Sequence, residues 1–466
     1  MPRDLPNVLV VLLDQLRYDV VADPARCDTP HLDRLCGEGA LFEQHYTPTG
    51  LCSPARASLM TGLYPHTHGV VNNVHGRTAV LRDLPDGDRT VGEFLTDAGY
   101  RTGYVGKWHL GMTKGATERG FAEVRFPEGE HEPSVAVGLE DYRDAMVFTR
   151  PRHDRGQRFP LYLSDPVPQS LVPANLAFDG ALDLLESYAS GTQPFFLLVS
   201  FPEPHHPTIL PEEFVDRYDP ASLEPWPSFG DSFEGKPRTN EALLRHFGVA
   251  EFTWEDWAPV VARYLATVTM LDALIGRMMD ELERRGWADH TMVLVTTDHG
   301  DMTGNHRQFN KGPVMYEDVY HIPLLIRTPD AQQRRVGALT THLDLLPTIA
   351  EFTGIKLPPR SWAGQSLMPW LRGEDPGWRS SLLCEYHGDE FGLYSQRMVR
   401  RGSHKLVYNP NDVSELYDLA VDPHELHNLA GHPECSTMQR ELEQELLAMM
   451  RETGDGLAEF AGMMLG

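Results

Sequence analysis

The chain is short of cysteine, of basic residues and of long apolar runs, and each shortage removes a class of protein. Its five cysteines, Cys27, Cys36, Cys52, Cys384 and Cys435, are odd in number, scattered over 466 residues and include no Cys-x-x-Cys pair. That argues against a disulfide framework or a zinc knuckle and points to a reduced, cytoplasmic protein. With 41 Lys and Arg against 67 Asp and Glu, the formal charge is -26. No general basic field exists to draw in nucleic acid or an anionic membrane surface, so neither is expected as a partner. The amino-terminal apolar run, Val8 to Leu13, follows two prolines and an acid and is too short for a signal peptide core or a membrane span. No later run is read as long enough to span a bilayer, and no internal repeat or low-complexity tract interrupts the chain.

What is present is an ordinary globular composition, 41% hydrophobic and 23% charged, over a length that suits one large domain with a smaller appendage. Continuous Val/Leu-rich runs at Val8–Leu13, Pro194–Ser200, Met292–Thr296 and Ile322–Ile326 suit strands buried on both faces of a parallel sheet. Helical patterns separate them. Thr90–Ala98 carries a capping box, Thr90 with Glu93, and ends at Gly99. Trp257 to Arg285 repeats apolar residues at three- and four-residue spacing and stops at Gly286. Strands alternating with helices predict an α/β fold with a large, mainly parallel sheet flanked by helices. Two polar, proline-rich segments, Gly120–Pro173 and Pro202–Pro237, read as irregular insertions near the mouth of a site. A boundary is expected near 375. Residues 1–375 then form the catalytic unit and 376–466 a smaller antiparallel sheet, with strands near Ser381–Glu385, Gln396–Arg400, Lys405–Tyr408 and Glu415–Leu419, plus a helix from about Ser436 to Thr453.

In such sheets ligands bind at the carboxyl ends of the strands, so the polar residues that follow strands carry weight. Asp14 follows the first strand, and Asp298 with His299 follows a late one; carboxylates and an imidazole converging there suit a divalent metal. Either aspartate alone would equally well cap a helix. Lys107 and His109, His205 with His206, and Lys311 also sit just past strand ends, where an oxyanion would lie. Cys52, on its own a plausible core filler, is followed by Pro54 and Arg56 in Leu51-Cys-Ser-Pro-Ala-Arg-Ala-Ser-Leu-Met-Thr-Gly62, neighbours that a structural thiol does not need.

Cys52-Ser-Pro-Ala-Arg56 continuing to Thr61-Gly62 resembles the signature of the type I, formylglycine-dependent sulfatases of the alkaline phosphatase superfamily. The blocks NVLVVLLDQ, TPHLDRL, GYVGKWHLG, TERGF, PHHP, TMVLVTTDHGDM and ELYDLAVDPHELHNLA stand in the family's order through most of the chain. The resemblance implies an alkaline phosphatase-like sheet and hydrolysis of an O-sulfate ester, saccharide or other small molecule. It also implies a cofactor pair: one divalent ion, with calcium expected and manganese or magnesium as alternatives, and a Cα-formylglycine made from Cys52 by a formylglycine-generating enzyme. By matching position, Asp14, Cys52, Asp298 and His299 would hold the metal. Arg56 would support the nucleophile, Lys107 and Lys311 would neutralise sulfate oxygens, His109 would take a proton, His205 would protonate the leaving oxygen, and Asn73 would contact the transferred group. Two departures stand out: Gln15 and His299 occupy positions where typical arylsulfatases carry an acid and an asparagine. That pattern is closer to the choline-sulfatase and phosphonate monoester hydrolase branches, so a phosphonate monoester or phosphodiester remains the alternative substrate. Oligomeric state, a homo-oligomer included, is left open.

Overall fold

The Val/Leu run near the amino terminus becomes the middle of a sheet. In the computed structural model, which describes residues 5–125, 139–151, 158–330, 332–359, 362–389, 391–392 and 394–465, the strands in chain order are β1 (Asn7–Asp14), β2 (Ala40–Tyr46), β3 (Arg101–Gly106), β4 (Glu123–Arg125), β5 (Met146–Phe148), β6 (Pro160–Leu163), β7 (Phe195–Pro204), β8 (Thr291–Thr297), β9 (Leu324–Arg327) and β10 (Arg334–Thr341), followed by β11 (Ser381–Tyr386), β12 (Gln396–Arg401), β13 (His404–Tyr408) and β14 (Glu415–Asp418). The main sheet has the order β10-β2-β9-β8-β1-β7-β3-β4. β1 lies parallel between β7 and β8, and every residue of these three strands is buried. Successive side chains go to opposite faces. Leu9, Val11 and Leu13 join one apolar core with the helices Pro173–Ala189 and Trp254–Arg284, while Val8, Val10 and Leu12 join another. A strand covered on both faces cannot alternate apolar and polar residues, which is why it reads as a continuous run.

Four features depart from the sequence expectations. The Ile322–Ile326 run forms β9, but it is antiparallel to both β2 and β8; burial on both faces produces the same apolar signature whichever way a strand runs. β2 and β10, paired in parallel at the opposite edge of the sheet from β4, escaped prediction because partly exposed polar residues such as Glu43, Gln44 and Arg334 break their apolar pattern. The longest helix begins at Trp254, where Thr253 and Asp256 form a capping box. It is also long and apolar enough by composition to cross a membrane, contrary to the sequence reading, but 83% of its apolar window is buried inside the fold, so it serves as a core helix. A further short helix, Ala458–Leu465, follows the one at Ser436–Thr453.

Of the two segments read as irregular, Gly120–Pro173 holds the edge strand β4 and the separate β5–β6 hairpin, while residues 126–138 and 152–157 lie outside the described ones. In Pro202–Pro237, β7 runs on to Pro204 before short turns of helix at Glu212–Val215 and Pro220–Ser222. β11 to β14 form the small antiparallel sheet. Leu442, Leu446 and Met450 of the Ser436–Thr453 helix pack onto its Leu383, Val399 and Leu406.

One glycine at a sheet end directs the chain into the site. Gly106, the last residue of β3, has φ 91, and a Cβ there would lie 1.9 Å from the Ser200 carbonyl oxygen. The next residue, Lys107, donates its N–H to that same oxygen at 3.0 Å. Gly106→Ala combines a positive φ with a backbone clash, and is expected to destabilise the fold by about 3 kcal/mol or more. Denaturant unfolding of the two proteins measures this, and an unchanged midpoint would contradict it.

Candidate active site

Four parallel strands deliver the site from their carboxyl ends. Asp14 ends β1, Lys107 follows β3, His205 follows β7 and Asp298 follows β8. Cys52 is the first residue of the helix Cys52–Thr61, in which all ten residues are buried and whose turn closes at Gly62 with φ 68. The helix N-terminus adds partial positive charge beside Cys52.

Arg56, one turn further on, ties the strand ends together. Its Nη2 donates to Asp14 Oδ2 and its Nε to Asp298 Oδ2, both at 2.8 Å, and its Nη1 donates to the Lys107 carbonyl at 2.9 Å and to Ser200 Oγ at 2.7 Å. Lys107 Nζ reaches Asp14 Oδ2 at 2.7 Å. Burial alone would raise the Asp14 carboxyl, yet Lys107 and Arg56 hold it well below the usual carboxylate range. Burial would lower Lys107, and Asp14 keeps it raised and charged.

Asp14, Cys52, Asp298 and His299 place one donor atom each within 4.8 Å of one another, all buried. His299 Nδ1 donates to the Gly300 carbonyl at 2.8 Å, so Nε2 is the nitrogen that faces Cys52 Sγ at 3.1 Å and carries the lone pair once the ring is neutral; burial disfavours its charged form, but Asp298 and Cys52 raise the imidazole. Backbone N–H groups of Gln15 and His299 donate to Asp298 Oδ1 at 3.1 and 2.9 Å. Two oriented carboxylates, an imidazole in the ligating tautomer and a fourth side chain make a donor set that fits a divalent cation.

A second group faces the cluster. Lys311 Nζ donates to Gln15 Oε1 at 2.8 Å and to His205 Nε2 at 2.9 Å. His205 Nδ1 lies 2.6 Å from the His206 carbonyl, which can only accept, so Nδ1 carries the hydrogen and Nε2 accepts from the lysine. Burial and then Lys311 push His205 well below the usual histidine range. Burial would lower Lys311 too, but Cys52 and Asp14 raise it. Cys52 itself is held low: burial and Asp14 raise its thiol, while Lys107, Lys311 and His299 prevail. Gln15, in place of a second acid, also donates to Asp301, which lies 3.2 Å from His206 Nε2.

Cys52, Lys107, His109, His205, Lys311 and Asn73 share one cavity of about 350 Å³. Arg56, Asp14, Asp298 and His299 sit behind it. Asn73 accepts from the Ser53 N–H at 3.1 Å and donates to Asp389 at 2.7 Å, so it braces the start of the Cys52 helix. All ten residues singled out in the sequence therefore meet in one place. The sequence reading missed His75, Glu203, Asp389 and the rings of Phe159, Phe247 and Phe309, which complete the walls. Glu203 stands inside PEPHHP, where its nearness to the histidines was the available signal, and His75 lies two residues beyond Asn73; Phe159, Phe247 and Asp389 come from distant parts of the chain.

A sheet with cations, a cysteine and a metal-type cluster at its carboxyl edge defines an anion-ester hydrolase of the alkaline phosphatase superfamily. The comparisons agree: the Sulfatase family model matches residues 6–355, and the model of the N-sulphoglucosamine sulphohydrolase C-terminal region matches 304–452. The chain is 30% identical over 451 residues to the choline-sulfatase of Rhizobium meliloti, covering 93% of this chain and 84% of that one. It is 26% identical to the N-acetylglucosamine-6-O-sulfatase of Bacteroides thetaiotaomicron, with 97% and 87% covered. Among solved structures, the phosphonate monoester hydrolase of Silicibacter pomeroyi superposes with a TM-score of 0.79 at 26% identity, covering 97% and 96%. The chain belongs to the sulfatase family, and it is a sulfuric ester hydrolase.

Glu203 offers a test of the cavity's electrostatics. One carboxylate oxygen accepts the Ala174 N–H at 3.0 Å, the other has no hydrogen-bond partner among the described residues, and burial pushes the group up to about 7 from an ordinary 4.5. A raised carboxyl binds more protons folded than unfolded between those values, so it favours folding at low pH and loses that advantage as pH climbs to about 7. Glu203→Gln keeps the acceptor and cannot ionise. Relative to the parent, the variant is expected to gain up to about 3 kcal/mol between pH 5 and pH 8. Unfolding curves at the two pH values check this; a pH-independent difference would show that Glu203 titrates normally.

Proposed function

We propose that the protein hydrolyses an O-sulfate monoester to an alcohol and inorganic sulfate at Cys52, after oxidation of that residue to Cα-formylglycine. The carrying observation is the placement of Cys52 at a helix N-terminus, its Sγ 3.1 Å from His299 Nε2 and its cavity shared with Lys107 and Lys311. A thiol that merely fills the core needs none of this. In hydrated form the modified side chain supplies one hydroxyl to attack sulfur and a second whose loss of a proton expels sulfate.

Asp14, Asp298, His299 and the modified Cys52 would hold a divalent cation, which supplies Lewis-acid charge that makes the nucleophile more acidic and neutralises the ester. The carboxylates suit the calcium that the resemblance implies, with manganese or magnesium as alternatives. Arg56 keeps the two carboxylates oriented. Lys107 and Lys311 neutralise the charge that develops on the sulfate oxygens. His205 is neutral at rest with its lone pair toward Lys311, so the proton for the leaving oxygen originates on the lysine and reaches the ester through this pair. His109, neutral and buried, collects the proton of the second step.

The names of the relatives support a sulfated saccharide or another small alcohol as leaving group, and a cavity of about 350 Å³ accommodates one sugar-sized unit. Asn73 lines the cavity while it braces the helix start, and its second amide N–H would contact the transferred group. Modification would be carried out by a formylglycine-generating enzyme during synthesis.

Peptide mass spectrometry across Cys52, with assays of the same sample on an aryl sulfate and a phenyl phosphonate, tests the proposal. Formylglycine mass with faster sulfate ester hydrolysis is expected, and Cys52→Ala should lower that rate by at least about a thousandfold. Activity from an unmodified cysteine would refute the nucleophile, and a preference for the phosphonate would transfer the chain to the alternative substrate class.

A further inference from the structure

We infer that His75 is the outlet of a two-histidine proton path, passing to solvent the proton that His109 collects when sulfate is expelled. The inference rests on the hydrolytic reading above. His109 Nε2 lies 2.6 Å from His75 Nδ1, and the two rings stack with centroids 4.7 Å apart and planes 23° from parallel. The pair crosses the boundary of the site: His109 is 4% exposed, whereas His75 is solvent-exposed, and both line the cavity that holds Cys52. His109 Nδ1 is buried and has no hydrogen-bond partner among the described residues. Placing the hydrogen on Nε2 keeps the bond to His75 and leaves a lone pair at Nδ1, the arrangement a base requires.

The backbone supports the pairing. His109 adopts φ 56, an uncommon conformation for a side chain-bearing residue. Ser53 Oγ donates to the His109 carbonyl at 2.7 Å and accepts the Val74 N–H at 3.3 Å. The residue after Cys52 thus ties both histidines to the start of the same helix. A proton cannot remain on His109, because burial, then Lys107, then His75 disfavour its charged form. It therefore needs a way out.

In the expulsion step the second hydroxyl gives its proton to His109 Nδ1. The O–H electron pair becomes the second bond of the carbonyl, and the C–O bond to the sulfate breaks with its pair leaving on sulfate. His109 then releases the Nε2 proton to His75 Nδ1, and His75 loses its own Nε2 proton to water. When water adds to the carbonyl, His109 Nδ1 gives a proton to the carbonyl oxygen, the adding water loses one to bulk solvent, and His75 Nε2 regains one from water, so the relay runs in reverse and restores both tautomers.

His75→Ala and His75→Gln replace an exposed side chain, so both variants are expected to fold. In single turnovers of 4-nitrophenyl sulfate by enzyme whose Cys52 modification has been verified, each should release nitrophenol at the parental rate. Each should release sulfate about ten- to a hundredfold more slowly, with the sulfated Cys52 peptide accumulating on quenching. Added imidazole should restore sulfate release in the alanine variant. Equal sulfate release by parent and variants would overturn the relay, as would loss of both steps without imidazole rescue. A second readout is independent of turnover: nitrogen-15 histidine spectra of the resting protein should show His109 with Nδ1 unprotonated and Nε2 protonated, and a protonated Nδ1 would refute the path. Absence of formylglycine and of sulfatase activity in the parent would sink the hydrolytic reading instead, leaving the spectra to decide on the histidine pair.

Discussion

The site depends on one guanidinium. Arg56 is 1% exposed and is held by Asp14 on β1 and Asp298 beyond β8. These are two neighbouring strands whose ends would otherwise carry facing carboxylates in a dry environment. Like charges so placed repel, and one of the pair would take up a proton. Arg56 removes that conflict and fixes the direction of each carboxylate, because its planar fork donates along set vectors. Loss of one partner from such a buried pair typically costs about 3–5 kcal/mol. Its remaining donors go to the Lys107 carbonyl and Ser200, so β3 and β7 are referred to the same group.

Around this anchor, charge is arranged against the character of the whole molecule. The chain carries a formal charge of -26, yet Arg56, Lys107 and Lys311 converge around Cys52, where the anionic ester of the proposed reaction would bind. Such local fields act strongly because the groups are out of water. The neutral histidines follow from the same fact. His205 and His109 lie beside lysines in a buried site, so each holds a lone pair at rest. In the proposed reaction the cations would bind the substrate while the imidazoles remain free to move protons.

Gln15 illustrates how one substitution reshapes a site. An acid at that position would add an anionic donor to the cluster; the amide instead bridges Lys311 and Asp301. Its backbone N–H still supports Asp298, from a residue with φ 72. The cluster therefore has fewer anionic donors, and Lys311 is positioned by a neutral partner. Beyond this shell the cavity changes character to Phe159, Phe247 and Phe309 with Glu203 and Asp389, groups suited to selecting among alcohols.

The parts of the molecule legible from sequence are those where a local rule leaves no choice. Strands buried on both faces must be apolar throughout, so β1, β7 and β8 could be read. A helix packed along one stripe must repeat at three and four residues, so Trp254–Arg284 could be read. Polar residues at strand ends pointed to Asp14, Lys107, His205, Asp298 and Lys311, and the resemblance to the sulfatases supplied the roles of Cys52 and Arg56. Strand direction was not legible, since β9 would look the same either way. The edge strands β2 and β10 were hidden by their exposed polar residues. Nor could the sequence show that Asp14 and Asp298 share one arginine, that Lys311 meets His205, or that His75 meets His109. Those pairs lie 34 to 284 residues apart or arrive on loops, and only the packed sheet brings their side chains within hydrogen-bonding reach. The residue types set what chemistry was available, and the tertiary structure decided which groups touch, because proton transfer and charge neutralisation depend on distances that no local pattern encodes.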